Sequence, residues 1–393
     1  MLVVIMMGFG IVIPIMPFYI ELFDAQGTEL GLLMATYAVM QFLFAPVWGN
    51  LSDRYGRKPI LLIGVFGNGV AMILFGLSTQ LWMLFASRAL AGFLSSATLP
   101  TAMAYVSDST SEEDRGGGMG MIGAAMGLGM VIGPGLGGTL AEYSLSVPFF
   151  LAGGLSFIAL ALIWVMMPES LPAEKRTSTS ERIQGLQLKE MWQALWGPIG
   201  ILLLLAFLVS FGFTKFESIF GLFAANRYDY GPSEVGLILT VIGLVSAVVQ
   251  GGLTGPVTKR WGETAVIKTS LFGTAIGFLL MLLATNLTTV LITTSLFVVS
   301  SAMLRPSVSA LTSLRADSGQ GIALGLNNSF MSLGRIAGPI LAGLLFDINL
   351  IFPYITGAIV MLVGFGVCLR WLPKAQQDKP KIALQSEVAS KGV

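Results

Sequence analysis

Five charged side chains fall deep inside long apolar stretches of this 393-residue chain, well away from their ends: Arg88, Lys215, Glu217, Arg305 and Arg335. An ionised group at the middle of a bilayer costs roughly 2.5–3.5 kcal/mol even on the most lenient insertion scale, so such residues mark pathways, proton relays or buried pairs. Glu217 is the one carboxylate well within such a stretch; Glu21, Asp24, Glu142 and Asp347 lie near the ends of theirs. A carboxyl group favours its neutral form when dehydrated and its ionised form beside a cation, so a lone acid among bases can take up and release a proton as its surroundings change. Glu217 is the expected proton carrier, with Arg305 and Arg88 as its coupling bases. Phe213 at i−4 and Phe220 at i+3 share its helical face and would hold the carboxylate between two rings, a lining suited to a flat, apolar, cationic molecule. The alternative is a structural ion pair of Glu217 with Arg305 or Arg88.

Polar side chains at helical spacing extend this set. Tyr37 and Gln41 are four residues apart, as are Asn328 and Ser332, with Arg335 one turn further. Polar stripes within membrane helices turn toward a cavity rather than lipid. These residues, with Phe213, Glu217 and Phe220, are expected to line a substrate site.

What must position them is a membrane-embedded frame. Hydrophobic residues make up 54% of the chain and charged residues 11%, with a mean hydropathy of +0.81; a soluble domain carries roughly 25% charged residues. The net charge of +1 argues against nucleic acid, which needs a basic face. No histidine is present, so His-based triads and His metal sites are excluded, and the single Cys368 excludes an internal disulfide or thiolate cluster. The apolar start lacks a basic n-region and a small-residue cleavage site, and reads as a first span rather than a signal peptide.

A transmembrane helix needs about 20 apolar residues. Twelve runs of that kind are found, at 1–22, 29–50, 59–78, 81–106, 117–142, 147–167, 196–225, 232–257, 264–284, 287–313, 320–346 and 350–372. They lack strict alternation and so do not read as barrel strands. With the N-terminus cytoplasmic, the inside loops hold Arg54, Arg57, Lys58, Arg115, Lys175, Arg176, Arg182, Lys189, Lys259, Arg260 and Arg315, and the outside loops only Arg227. The bias places both termini in the cytoplasm. Domain boundaries follow: a six-helix bundle at 1–167, a polar cytoplasmic linker at 168–195, a second six-helix bundle at 196–372 and a cytoplasmic tail at 373–393.

The two bundles repeat one another. Glu29 and Gly31 recur as Glu234 and Gly236, and Gly133, Pro134, Gly138 and Pro148 as Gly338, Pro339, Gly343 and Pro353, all 205 residues on. Gly49, Arg54, Gly56 and Pro100 recur as Gly255, Arg260, Gly262 and Pro306 at 206. Six helices repeated in one orientation imply an all-α polytopic protein of two bundles, related by a pseudo-two-fold axis along the membrane normal, with a site at their interface.

Several segments resemble a known family. GNLSDRYGRKPIL at 49–61 is similar to the loop 2/3 signature of the major facilitator superfamily, and LFASRALAGF, with Arg88 and Gly92, to its helix 4 motif. GLGMVIGPGLGG at 127–138 resembles the helix 5 motif of its antiporters, and GFGIVIPIMPFY at 8–19 the first helix of the twelve-helix drug:proton antiporters. FGFTKFESIF and NNSFMSLGRIAGP look like helices 7 and 11 of the Gram-positive multidrug and quinolone efflux pumps. The resemblance implies the major facilitator fold and a proton-coupled exporter of small amphipathic compounds. It departs from the pump pattern in three places: Ala302 stands where those relatives usually carry an aspartate, and Lys215 and Arg335 where small or uncharged residues are expected. One acid lost and two bases gained weaken a purely cation-selective reading and point to zwitterionic, neutral or anionic substrates, or to a structural pair of Arg335 with Glu217.

The same motifs have a physical reading. Gly129, Gly133 and Gly137 put a small residue every four positions, which lets a second helix approach closely, and Pro134 removes a helical hydrogen bond, with Gly138 one turn on. This is a packing seam, and in an alternating-access transporter a seam that opens and closes. Asp53 beside Arg54, Arg57 and Lys58, with Gly49 and Gly56 flanking and Asp108 and Asp114 at the next turn, can form salt bridges in one state and break them in another. The alternative function is export or uniport of a specific polar or anionic metabolite on the same fold. An enzyme would need a nucleophile, metal cluster or paired acids inside the membrane, which the sequence lacks. The expected partners are a small-molecule substrate, protons and the lipid bilayer of a bacterial cytoplasmic membrane, with no nucleic acid, no cofactor beyond the proton gradient, and a monomeric state.

Overall fold

A computed structural model describes residues 2–111, 114–176, 188–316 and 319–372. The expected tail at 373–393, linker residues 177–187 and Arg182 lie outside them. The described chain is helical throughout: α1 Leu2–Val12, α2 Met16–Glu21, α3 Gly27–Tyr55, α4 Arg57–Gly76, α5 Leu81–Ser95, α6 Thr98–Ser109, α7 Arg115–Ala141, α8 Val147–Met166, α9 Leu188–Leu195, α10 Gly200–Tyr228, α11 Pro232–Val248, α12 Thr254–Trp261, α13 Glu263–Met281, α14 Leu287–Leu314, α15 Gln320–Ile348 and α16 Phe352–Trp371.

Eleven helical stretches among the described residues are long and apolar enough to cross a membrane. The first expected span is the exception, because it is broken into α1 and α2. Pro14 falls in the break and Pro17 in the first turn of α2, and neither can donate the backbone bond that would keep the helix continuous. Two further spans bend. The run 81–106 divides at Ser96 and Ala97 into α5 and α6, and α11 passes through a π turn at Val249–Leu253, containing Gly251 and Gly252, before α12. The segment expected as linker holds α9, with Met191 buried and Trp192 and Trp196 exposed.

The repeat is visible in what equivalent residues do. Glu29 accepts a bond from the Gln26 backbone N–H (2.9 Å) at the start of α3, and Glu234 one from Gly231 (3.0 Å) at the start of α11. Gly56 (φ +105°) and Gly262 (φ +78°) end their helices in a backbone region that disfavours any side chain. Within lipid, helices associate through close packing and polar contacts rather than water exclusion. In the first half Tyr19 packs on Phe75 and Phe149 and donates its hydroxyl to the carbonyls of Phe75 (3.2 Å) and Gly76 (3.1 Å). In the second, Phe216 and Phe278 both pack against Phe297, tilted and edge-on respectively, and Phe223 packs against Tyr354.

The halves meet along two symmetric crossings. A Cβ on Gly31 of α3 would strike the Pro339 carbonyl of α15, and one on Gly236 of α11 would strike the Pro134 carbonyl of α7. Gly343 lies on Gly27, and Gly138 on Pro232, in the same relation. These crossings sit at the end of the molecule away from the 49–58 loop. Near that loop, a Cβ on Gly49, Gly120, Gly251, Gly255 or Gly321 would meet nothing within 4 Å. The halves therefore press together at the first end, while these glycines make no such contact at the other.

Candidate functional site

Beside the contact between the halves, α3 and α5 on one side and α10, α14 and α15 on the other bring their ionisable side chains near one another. Arg335 shows how the packing aims a side chain there. On α15, Gly334 and Gly338 press against α10, while Pro339 and Gly343 press against α3. Arg335 and Asn328 occupy the strip between those two faces, and both are exposed. The Arg335 guanidinium donates to the Ser332 hydroxyl (2.8 Å), which itself bonds the Asn328 carbonyl (2.9 Å). Arg335 lies within electrostatic reach of Tyr37, Arg305 and Glu217, which groups the four near one another.

Glu217 lies on α10 between Thr214, which faces Gly338 of α15, and Gly221, which faces Pro17 of α2. It is half-buried and makes no ion pair or hydrogen bond among the described residues, so the structural pair with Arg305 or Arg88 considered from sequence is not formed here. Its two expected aromatic neighbours differ: Phe213 is open, 38% exposed, whereas Phe220 is packed away against Phe216. Arg305 is exposed and has no hydrogen-bond partner among the described residues.

On the opposite wall, Tyr37 and Gln41 are joined as their spacing suggests, with Gln41 Nε2 donating to the Tyr37 hydroxyl (3.0 Å) and Ser95 Oγ 2.9 Å from that hydroxyl. Arg88 is buried, lies over the Tyr37 ring at 5.0 Å and donates to Met16 Sδ (3.3 Å). Phe9 abuts Tyr37 at 5.8 Å. Lys215 turns the other way. It is fully buried in the second half, bonded to the Thr356 hydroxyl of α16 and close to the Phe211 ring. The four bases counted in the spans thus reduce to two, Arg305 and Arg335, that stand open around the one acid.

The glycine stripe splits by partner. Gly129, Gly133 and Gly137 pack on Met6, Gly10 and Ile11 of α1, inside their own half. Pro134, Gly135 and Gly138 carry the seam to α11 in the other half, meeting Gly236, Thr240 and Pro232. In the loop, Arg57 pairs with Asp53 (2.5 Å) and Asp108 (2.9 Å), all within the first half, and Arg54 sits in the last turn of α3. Glu169, which the sequence did not single out, caps α4 by accepting the backbone N–H groups of Arg57 (2.8 Å) and Lys58 (3.2 Å). Ser95, Met16 and buried Asn327, bonded to Ser309 (3.1 Å), were likewise not singled out. Their partners are 18 to 72 residues away, beyond any helical spacing.

Two helical halves that cross closely at one end, with charged and aromatic residues gathered beside the crossing, are the architecture of a membrane transporter. The chain belongs to the Major Facilitator Superfamily, whose family model matches residues 1–263 and again 202–390. It is 31% identical over 369 residues to multidrug resistance protein 2 of Bacillus subtilis (strain 168), covering 94% of this chain and 92% of that one. It is 28% identical over 366 residues to the quinolone resistance protein NorA of Staphylococcus aureus (strain COL), covering 93% of each. Among solved structures it is similar to a bacterial homolog of the human lysosomal transporter Spinster in an inward-facing and occupied conformation, with a TM-score of 0.75 at 13% identity and 96% of each chain covered. It is similar also to the nucleoside transporter NupG, with a TM-score of 0.75 at 14% identity, covering 94% of this chain and 96% of that one. The chain is a transporter of small molecules in the lipid bilayer, not an enzyme.

Proposed function

We propose that the protein is a proton-coupled exporter of small amphipathic compounds that works by alternating access in a bacterial cytoplasmic membrane, as a monomer with both termini cytoplasmic. The bundles at 1–167 and 196–372 are the rocking bodies, joined by the cytoplasmic segment 168–195. With that orientation the closed crossings lie on the outer side and the open end faces the cytoplasm, where an exporter loads. The observation that carries the reading is Glu217: a carboxylate in the space between the halves, unpaired among the described residues and near the open Arg335. An acid so placed can exchange its proton for a substrate without breaking a structural bond. The relatives' names, multidrug and quinolone resistance proteins, agree with an amphipathic organic substrate.

The test is transport in proteoliposomes carrying a pH gradient. Glu217→Gln is expected to abolish uphill movement of an amphipathic dye while leaving downhill exchange measurable. Full uphill transport by that variant would overturn the assignment.

A further inference from the structure

The space between the halves holds an unbalanced set of charges. Arg305 on α14 and Arg335 on the adjoining α15 are both exposed, and Arg335 lies within reach of the Arg305 charge. Arg335 uses one donor, on Ser332, and Arg305 uses none among the described residues. A guanidinium has five N–H donors, so most of the ten are free. Glu217 is the one acid near enough to act on Arg335, and it pairs with neither arginine. Ala302, one turn before Arg305 on α14, offers no carboxylate. Lys215 and Arg88 do not alter the balance at the opening, being engaged with Thr356 and Tyr37. Two like charges facing one space in a membrane repel each other, and an anion between them relieves the repulsion and fills the free donors at once. A carboxylate suits best, because its two oxygens match the fork of a guanidinium.

We infer that Arg305 and Arg335 form a receiving site for a carboxylate head, so that the compounds bound there are amphipathic carboxylates, anionic or zwitterionic, with Phe213 and the Tyr37 ring against the apolar body. The inference rests on the exporter reading and deepens it. Protonation of Glu217 removes the one negative charge near the arginines among the described residues, which weakens the hold on a cationic group and strengthens that on a bare anion, so it is the zwitterion whose binding opposes the proton as exchange requires. A zwitterion places its cationic end toward Glu217 when that group is ionised.

The experiment uses the full chain in lipid nanodiscs and three probes of one shape: 2-naphthoate, 2-naphthamide and 2-naphthylmethylammonium. Equilibrium binding is measured, with empty nanodiscs subtracted. Naphthoate is expected to bind about tenfold tighter than the ammonium probe, with the amide between. Arg335→Gln and Arg305→Gln should each lower the naphthoate-to-ammonium ratio several-fold, Arg335→Lys should retain most of it, and Ala302→Asp should lower it without removing either arginine. Ala302→Asp is the safeguard should the arginine variants fail to stay monodisperse. An ammonium probe that binds as tightly as naphthoate, a ratio unmoved by Ala302→Asp, or no naphthoate binding by monodisperse protein would each overturn the inference. Uphill transport is read separately in proteoliposomes. Binding selectivity without pH-driven transport would leave the anion site standing and remove the exporter reading, and pH-driven transport of cations alone would do the reverse.

Discussion

The Asp347 carboxylate, in the last turn of α15, accepts the backbone N–H of Gly27 (2.9 Å), the first residue of α3 in the other half. It also accepts the N–H of Thr28 (2.8 Å) and bonds the Thr28 hydroxyl. A helix start presents unpaired N–H groups and a partial positive charge, so an acid from the facing half is a polar clasp on the closed end. The repeat makes the other crossing a built-in control. Glu142 is the counterpart of Asp347, but Pro232, the counterpart of Gly27, has no N–H to give.

Asp347→Asn is therefore expected to weaken closure by about 1 kcal/mol, a shift of roughly fivefold in the ratio of closed to open at that end. Spin labels at exposed Leu22 and Ile348 should report a longer, broader distance distribution. Glu142→Gln should leave it unchanged. Equal effects from the two variants would mean that charge near the outer end, rather than the clasp, sets closure.

Two glycine substitutions should separate packing from gating. Gly133→Val forces a side chain onto Gly10 of α1 within one half, where a Cβ would already be 2.7 Å from the Gly10 Cα. Overpacking of this kind costs about 1–3 kcal/mol and should appear as lower thermal stability. Gly236→Val meets the Pro134 carbonyl across the halves, with a Cβ at 2.6 Å. The halves can avoid that clash by parting, so the expected result is near-normal stability with the outer end held open, read as a longer distance between spin labels at exposed Leu22 and Ile348.

Tyr37 should show two separable contributions. Tyr37→Phe removes the hydrogen bonds with Ser95 and Gln41 and keeps the ring beneath Arg88, at an expected loss of about 1 kcal/mol in unfolding free energy. Tyr37→Leu removes the ring as well, at about 0.5–2 kcal/mol more. Equal losses from the two would show that Arg88 draws nothing from the ring.

Cys368 is completely buried in α16. Impermeant maleimide should leave the folded protein unlabelled and react only after denaturation, so single cysteines can be placed on the native background. Rapid labelling of native protein would show that α16 is not packed as described.

Much of this protein was legible in its sequence, because lipid narrows the choices. With no water to satisfy backbone groups, long apolar runs with few charges must be helices, and the recurrence of Glu29 as Glu234 and Pro134 as Pro339 requires two like bundles. Charges are costly inside lipid, so Glu217, Arg305 and Arg335 stood out before any packing was known. Facing direction was another matter. Lys215 and Glu217 are two residues apart, and only the helices around α10 send one to Thr356 and leave the other in the central space. Phe213 and Phe220 flank Glu217 alike in sequence, yet one is open and the other lies on Phe216. Helical spacing fixes angles around one axis, while burial depends on which neighbours surround that axis. The same holds for the clasp: Asp347 and Gly27 are 320 residues apart, and nothing local in either marks the partner. Their pairing exists only because the two halves close on one another.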